Sequence, residues 1–283
     1  MIAENSATRL FDLRGKVAVV LGGSGAIGGA LAFGLAQAGA SVAVTYGTHR
    51  ENADAIVDKI ADTPDCGGPA RSYRVDVRST ESIACNADEV ASDYGRLDIL
   101  VNCAGGNVVA AITGPAKTFF DLEMAPLSEV MQINFFGGCL WPCYYYGRKL
   151  AAQEEGGSII NITSMNYYRP LEGRPGYAAA KAAVGNFTQW LACHMAKECN
   201  PKVRVNAIAP GFVPNQRMIR TLLNEDGSYA PRGQKIIDHT PMGRLSTPDD
   251  LVGTCIWYAS DASAYITGTI TPIDGGFTAY AGL

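Results

Sequence analysis

Tyr177 and Lys181 stand four residues apart in YAAAKAAV, a stretch whose alanines favour a helix, so both side chains fall on one face, one turn apart. A phenol alone, with a pKa near ~10, is a poor acid–base group at neutral pH. A lysine ammonium beside it favours the phenolate and lowers that value. Ser164 lies upstream, at the end of Gly157-Ser-Ile-Ile-Asn-Ile-Thr-Ser164, an apolar run that reads as a buried strand entering a loop. A hydroxyl at a strand end, facing a tuned tyrosine at a helix start, is an arrangement for moving a proton to or from oxygen. The Tyr–Lys spacing by itself describes any solvated helix face, so the elements around it must decide.

Those elements alternate. Lys16 to Leu21 is a short apolar strand rich in β-branched residues, followed by Gly22-Gly-Ser-Gly-Ala-Ile-Gly-Gly29, a helix from Ala30 to Gly39 and a second strand from Ala40 to Thr45. This is a βαβ unit with a glycine-rich turn. Such a turn lets the backbone approach a pyrophosphate, and the helix N-terminus supplies amide donors and the positive end of a dipole. Helices are then expected over 51–61, 80–94, 128–152, 176–199 and 249–259, and strands over 70–75, 97–101, 158–162, 203–208 and 270–273. Residues 215–243 are polar and irregular, with short helical patches. The expected fold is α/β: one Rossmann-type, doubly wound parallel sheet flanked by helices, a single domain over 1–283. In such sheets ligands bind at the carboxyl ends of the strands. The glycine loop, Asn102, Ser164 and Pro210 each directly follow an expected strand, so separate pieces of sequence converge on one edge.

Composition narrows the function classes. The chain has 283 residues, 47% hydrophobic and 18% charged, and a formal charge of −4, which argues against a nucleic-acid partner because phosphate-backbone binding needs a basic face. No apolar run reaches membrane-spanning length, and the start has no signal-like apolar region, so a cytoplasmic protein is expected. Eight cysteines without C-x-x-C spacing and three histidines make a disulfide framework or a metal site unexpected.

With these residues in hand, the chain resembles the short-chain dehydrogenases/reductases over nearly its whole length. Gly22-x5-Gly28 resembles their glycine loop, Asn102-Cys-Ala-Gly105 their N-N-A-G segment, and Asn134, Ser164, Tyr177 and Lys181 their catalytic set. Pro210-Gly211 and Asp274-Gly-Gly276 match two further motifs. The departures are Leu21 for the usual Thr, Ala26 for the middle glycine, where a positive φ would strain the backbone, and Cys103 for the second Asn. The resemblance implies an NAD(P)-dependent oxidoreductase interconverting a carbonyl and a secondary alcohol. It implies cofactor contacts at Gly22, Ser24, Gly25, Ile27, Gly28, Asp76, Val77, Asn102, Ala104, Gly105, Tyr177, Lys181, Pro210, Gly211 and Val213. In that scheme Tyr177 is the acid or base, Lys181 tunes it and binds the ribose, Ser164 donates to the substrate oxygen, and Asn134 holds a water towards Lys181. It also implies a homotetramer built partly from the Tyr177 helix, with Gly185, Phe187, Trp190 and Leu191 on it.

Two finer expectations concern ligands. The second strand ends Val44-Thr-Tyr-Gly-Thr-His-Arg50 with no acid before Glu51, so Thr48, His49 and Arg50 read as a cradle for a 2′-phosphate, favouring NADP, with NAD as the alternative. The second half resembles the bacterial D-mannonate oxidoreductase (fructuronate reductase-like) subgroup, through Ser164-Met-Asn166, His239-Thr-Pro-Met-Gly-Arg244 and Asp274-Gly-Gly-Phe-Thr-Ala-Tyr280. That implies NAD and a keto-sugar acid substrate. Asn166 and Arg169 after Ser164, and Gln216 and Arg217 in a lid at about 212–243, are the side chains expected to meet its carboxylate and hydroxyls, with Asn215 and Arg220 beside them. The alternatives are a reductase of a neutral ketone or polyol, and a catalytically idle dinucleotide-binding sensor or regulator.

Overall fold

The computed structural model describes residues 7–282. Seven strands form one parallel sheet: β1 (Val17–Leu21), β2 (Ser41–Tyr46), β3 (Ala70–Arg74), β4 (Ile99–Asn102), β5 (Gly157–Ile162), β6 (Val203–Pro210) and β7 (Ile270–Ile273). Their spatial order is β3-β2-β1-β4-β5-β6-β7, every neighbouring pair parallel. The order reverses between β1 and β4, in register from Ala18↔Ile99 to Leu21↔Asn102, and that switch point opens a crevice at the strands' carboxyl ends.

Among the described residues, α1 (Ala7–Leu10) precedes the sheet and nine α-helices connect its strands: α2 (Ala26–Gln37), α3 (Arg50–Asp62), α4 (Thr80–Tyr94), α5 (Met124–Met131), α6 (Trp141–Ala152), α7 (Pro175–His194), α8 (Gln216–Leu222), α9 (Pro231–Asp238) and α10 (Val252–Ala259). Successive residues of β1 point to opposite faces and so divide the core in two. Val17, Val19 and Leu21 pack with Ile83, Tyr146, Leu150 and Val184 of α4, α6 and α7. Ala18 and Val20 pack with Leu31, Leu35, Ile60 and Tyr258 of α2, α3 and α10. A sheet covered on both faces explains why the central strand β1 is continuously apolar rather than alternating.

Two expected helices differ in kind. The long helix through residue 152 starts at Met124, not 128, and passes through a π-helical stretch, Gln132–Leu140, before α6. Its cause is local. Asn134 donates its side-chain amide to the Val130 carbonyl at 2.8 Å, intercepting a bond of the helical ladder. Gly137 presses so closely on the Val77 carbonyl that a Cβ there would overlap it. Past α7, a second π turn, Met195–Cys199, completes the other expected helix. The glycine-loop helix α2 starts at Ala26, four residues earlier than expected.

All eight cysteines are free, and among the described residues no His/Cys/Asp/Glu group is arranged to hold a metal ion. No described helix is long and apolar enough to cross a membrane.

Candidate active site

The glycine loop closes against the sheet's switch point. Gly22 lies in the left-handed region at φ +75°, and its amide donates to the Thr45 hydroxyl at 3.0 Å. A Cβ on Gly28 would strike the Gly22 carbonyl oxygen, so loop and helix touch backbone to backbone. Ala26 shows no strain, because Asp65 is the only non-glycine residue with positive φ among the described residues. The alanine simply begins α2. Gly25 caps α2 with no side-chain hydrogen bond, which leaves first-turn amides facing a cavity of about 360 Å³ lined by Gly22, Gly25, Ile27 and Gly28. Unspent amides at a helix N-terminus, behind a cradle that side chains would fill, suit the pyrophosphate of a dinucleotide.

The cavity continues to the far side of the crevice, past Gly105, Asn134, Ser164, Tyr177 and Lys181 to Pro210, Gly211 and Val213. Ser164 ends its strand buried, and its Oγ accepts from the Asn166 backbone amide (3.2 Å) and side-chain amide (3.1 Å). With its lone pairs filled, the hydroxyl has its proton to give to an oxygen in the cavity. Lys181 is buried, donates to the Ile162 carbonyl at 2.8 Å and sits 5.7 Å from the centroid of the Tyr177 ring. Burial pushes its amine down to about 8, against a small upward pull from Cys103 and Cys139.

The phenol corrects the sequence expectation. Burial holds Tyr177 above its ordinary value, only partly offset by the Ser164 hydroxyl and then by the positive charge of Arg174. The ammonium does not lower it here, because Lys181 is turned to a backbone carbonyl. At neutral pH the phenol is therefore protonated while the lysine is mostly charged.

This charge is stored cost. Below pH 8 folded and unfolded chains both carry the lysine proton, and the gap between 10.5 and about 8 amounts to about 3 kcal/mol of destabilisation. The cost falls as pH rises from about 8 to 10.5, where the unfolded chain still binds the proton and the folded chain has lost it. Lys181→Met without cofactor is expected to be about 1–2 kcal/mol more stable than the parent at pH 7, after losing one hydrogen bond worth ~1 kcal/mol. The advantage should shrink by pH 10. Thermal melts at the two pH values check this; an equal or lower Tm for the variant at pH 7 would refute it.

Several expected site residues take other places. Asn134 spends its side chain on the chain itself, accepting from Gly106 N (3.0 Å) and donating to Gly106 O (2.7 Å) as well as Val130. Asn102 is buried and is not part of the cavity lining; its amide donates to Asn161 Oδ1 at 2.8 Å across the β4–β5 pair, while its own Oδ1 has no partner among the described residues. Ala104 backs Gly22, Val77 backs Gly137, and the Ser24 amide donates to Thr45 O at 3.1 Å. Asp76 stands exposed in the turn after β3, one carboxylate oxygen accepting from the Arg78 amide at 2.9 Å. Thr48, His49 and Arg50 are exposed after β2, but His49 faces Glu51 at 3.1 Å and Arg50 faces Asp54 at 3.2 Å, so the expected phosphate cradle is already paired with acids.

On the substrate side, Asn166 is buried and occupied. It holds Ser164, and its Oδ1 accepts from the Leu171 amide at 3.0 Å. Arg169 turns away from the cavity and donates to the Tyr280 carbonyl at 2.9 Å, tying down the C-terminal segment. Asn215 lines the cavity and caps α8 by accepting from Met218 N at 2.9 Å. The side chains of Gln216 and Arg217 lie outside the described residues. Arg174 and Arg232, not singled out from sequence, line the cavity instead. For Arg174 the signal was its place directly before Pro175, a proline suited to a helix start, which sets it at the mouth of the helix that carries Tyr177.

Comparison with known proteins agrees with this geometry. The family model described as enoyl-(acyl carrier protein) reductase matches residues 22–278. An oxidoreductase of Bacillus subtilis named UxuB, itself uncharacterised, is 38% identical over 281 residues, covering 96% of this chain and 98% of its own. A solved structure of a candidate D-mannonate oxidoreductase from Haemophilus influenzae with bound NAD is 34% identical, with a TM-score of 0.87 and coverage of 98% and 100%. Another, a candidate NAD(P)-dependent gluconate 5-dehydrogenase from Beutenbergia cavernae with bound NADP, is 32% identical, with a TM-score of 0.81 and coverage of 96% and 100%. A parallel sheet in this order, a glycine cradle at its switch point, a Ser–Tyr–Lys group across the crevice and matches that span the chain lead to one conclusion: the chain belongs to the short-chain dehydrogenase/reductase family and is an NAD(P)-dependent oxidoreductase.

Proposed function

We propose that the enzyme interconverts a keto-sugar acid and the corresponding aldonate, on a substrate of the fructuronate–mannonate kind. The observation that carries this reading is the wall of the cavity beyond Tyr177, where Asn107, Asn215, Arg174 and Arg232 offer amides and cations. A ligand with a carboxylate and several hydroxyls needs such partners, whereas a steroid-like or cyclic ketone would leave them unpaired. The relatives described as acting on mannonate and gluconate point the same way.

A bound reduced nicotinamide dinucleotide supplies the hydride. Gly22, Gly25 and Gly28 hold its pyrophosphate, and Lys181 its nicotinamide ribose. Ser164 donates a hydrogen bond to the substrate carbonyl oxygen and stabilises the charge that develops there. Tyr177, protonated at neutral pH, gives that oxygen its proton; in oxidation it takes the proton back. Asn134 fixes the Gly105–Gly106 backbone beside Lys181, and a water held there relays protons. Residues 212–243, carrying α8 and α9, form the lid over the substrate.

For the cofactor, Asp54 offsets the Arg50 charge that favoured NADP, and Glu51 beside His49 adds a carboxylate that disfavours a 2′-phosphate. Surface pairs of this kind are weak and can be exchanged for a phosphate. We therefore expect kcat/KM for NADH and NADPH to lie within about tenfold of each other, a difference of ~1.4 kcal/mol. We also propose a cytoplasmic homotetramer. Trp190 on α7 is 57% exposed and Tyr144 on α6 63% exposed, aromatic surface that a symmetric partner would cover, whereas Gly185 and Leu191 are buried within the subunit.

The test is a substrate panel of fructuronate, tagaturonate and 5-ketogluconate beside neutral ketones and polyols, read with both cofactors. The acids are expected to lead by tenfold or more in kcat/KM. A lead for neutral ketones would leave a short-chain reductase of another substrate class.

A further inference from the structure

We propose that Arg174 and Arg232 form a two-pronged clamp for the substrate carboxylate, one prong on the catalytic helix and the other on the lid. The inference rests on the sugar-acid reading above and assigns its carboxylate a site.

Arg174 is the N-cap residue of α7, half-buried, three residues ahead of Tyr177. Arg232 is the second residue of α9, exposed at its rim, yet it lines the same cavity. Solvent serves the exposed Arg232, but no protein group accounts for the half-buried Arg174. Each guanidinium sits at the N-terminal end of a helix, where the dipole repels a cation. They also repel each other: burial and then Arg232 push the Arg174 guanidinium down.

Most other arginines have partners; Arg9, Arg74, Arg148 and Arg220, which lack an ion pair or side-chain hydrogen bond among the described residues, stand exposed and off the cavity wall. Arg14, Arg50, Arg71, Arg78, Arg96 and Arg244 meet carboxylates, and Arg204 meets carbonyls and a hydroxyl. Among the described residues, neither Arg174 nor Arg232 has an ion pair or a side-chain hydrogen bond. Two cations converging without an acid, at the unfavourable ends of two helices, are stabilised together only by an anion between them.

That anion belongs to the substrate rather than to the dinucleotide's pyrophosphate. The pyrophosphate cradle lies at Gly22–Gly28, whereas Arg174 is close enough to Tyr177 for its charge to favour the phenolate. A carboxylate offers two oxygens and can accept from both planar guanidinium forks. Because α7 is anchored in the core and α9 belongs to the segment between β6 and α10, an anion that bridges the two arginines draws the lid down over Tyr177.

The experiment compares three hexuloses that differ at C6: D-fructuronate (carboxylate), D-fructose (hydroxymethyl) and D-fructose 6-phosphate. Wild type, Arg174→Gln, Arg232→Gln and the double variant are assayed by kcat/KM with the preferred cofactor. Each single substitution is expected to lower the value for fructuronate by about 30- to 100-fold, as for removal of one partner of a charged hydrogen-bonded pair. Because Arg174 also acts on Tyr177, any loss through the phenol is shared by fructose, so the readout is the fructuronate-to-fructose ratio, which should fall with each substitution until the double variant no longer distinguishes the two. A wild-type preference for fructuronate that survives both substitutions would overturn the clamp and leave the sugar-acid reading standing. Absence of any preference in the wild type would overturn both. A wild type that favours the phosphate ester, or variants that lose fructose and fructuronate turnover equally, would also overturn the carboxylate clamp.

Discussion

Tyr177→Phe is expected to lower kcat by roughly 10³-fold or more while leaving cofactor affinity within about threefold, because it removes one hydroxyl, and with it the proton, from an intact cavity wall. The phenylalanine ring fits the same space, and the glycine cradle is untouched. Lys181→Ala should behave differently. That side chain is buried beside Tyr177 and on the expected ribose path, so both turnover and cofactor binding should weaken. Single-turnover absorbance at the nicotinamide band and a fluorescence titration with NADH separate the two patterns. Retained turnover in Tyr177→Phe would falsify the assigned chemistry.

Gly28→Val is expected to weaken NADH binding by more than about a hundredfold and to destabilise the fold by ~1–3 kcal/mol, the range for forcing extra atoms into a packed site. The new Cβ would overlap the Gly22 carbonyl oxygen and come within 2.8 Å of the Gly22 carbonyl carbon and 3.0 Å of the Gly23 Cα. All three neighbours are backbone, so no side chain can swing away. The loop must move, and the first-turn amides of α2 move with it. Far-UV circular dichroism confirms that the variant is folded, and titration with NADH gives the affinity. An affinity equal to wild type in the folded variant would mean that the pyrophosphate binds elsewhere.

The order of the elements was legible in the sequence because each carries its own periodicity. Val17–Leu21 is apolar throughout because it is covered on both faces, and the glycines at 22 and 28 mark backbone-to-backbone contacts that only glycine allows. Ser164, Tyr177 and Lys181 were legible for a related reason: a strand end and one turn of helix fix where such side chains go. The breaks in helical register were not. The π stretch at 132–140 depends on Asn134 meeting Val130 and on Gly137 meeting Val77, and the second of these contacts joins segments far apart in the chain.

Side-chain direction was likewise out of reach. Arg169 and Arg174 both lie between Ser164 and Tyr177, and composition treats them alike. The C-terminal segment supplies a carbonyl that captures Arg169, while the start of α7 turns Arg174 into the cavity. Thr48, His49 and Arg50 read as a phosphate cradle until the folded chain sets Glu51 beside His49 and Asp54 beside Arg50. The phenol read as lowered by its lysine until burial raised it and the Ile162 carbonyl claimed the ammonium. Sequence by itself determined the fold and the backbone cradle, because these follow from local pattern and residue type, and pointed to the reaction class through the family resemblance of its motifs. Tertiary structure alone decided which charges are spent within the protein and which remain for a ligand, because pairing and desolvation depend on neighbours that the chain brings together only when folded.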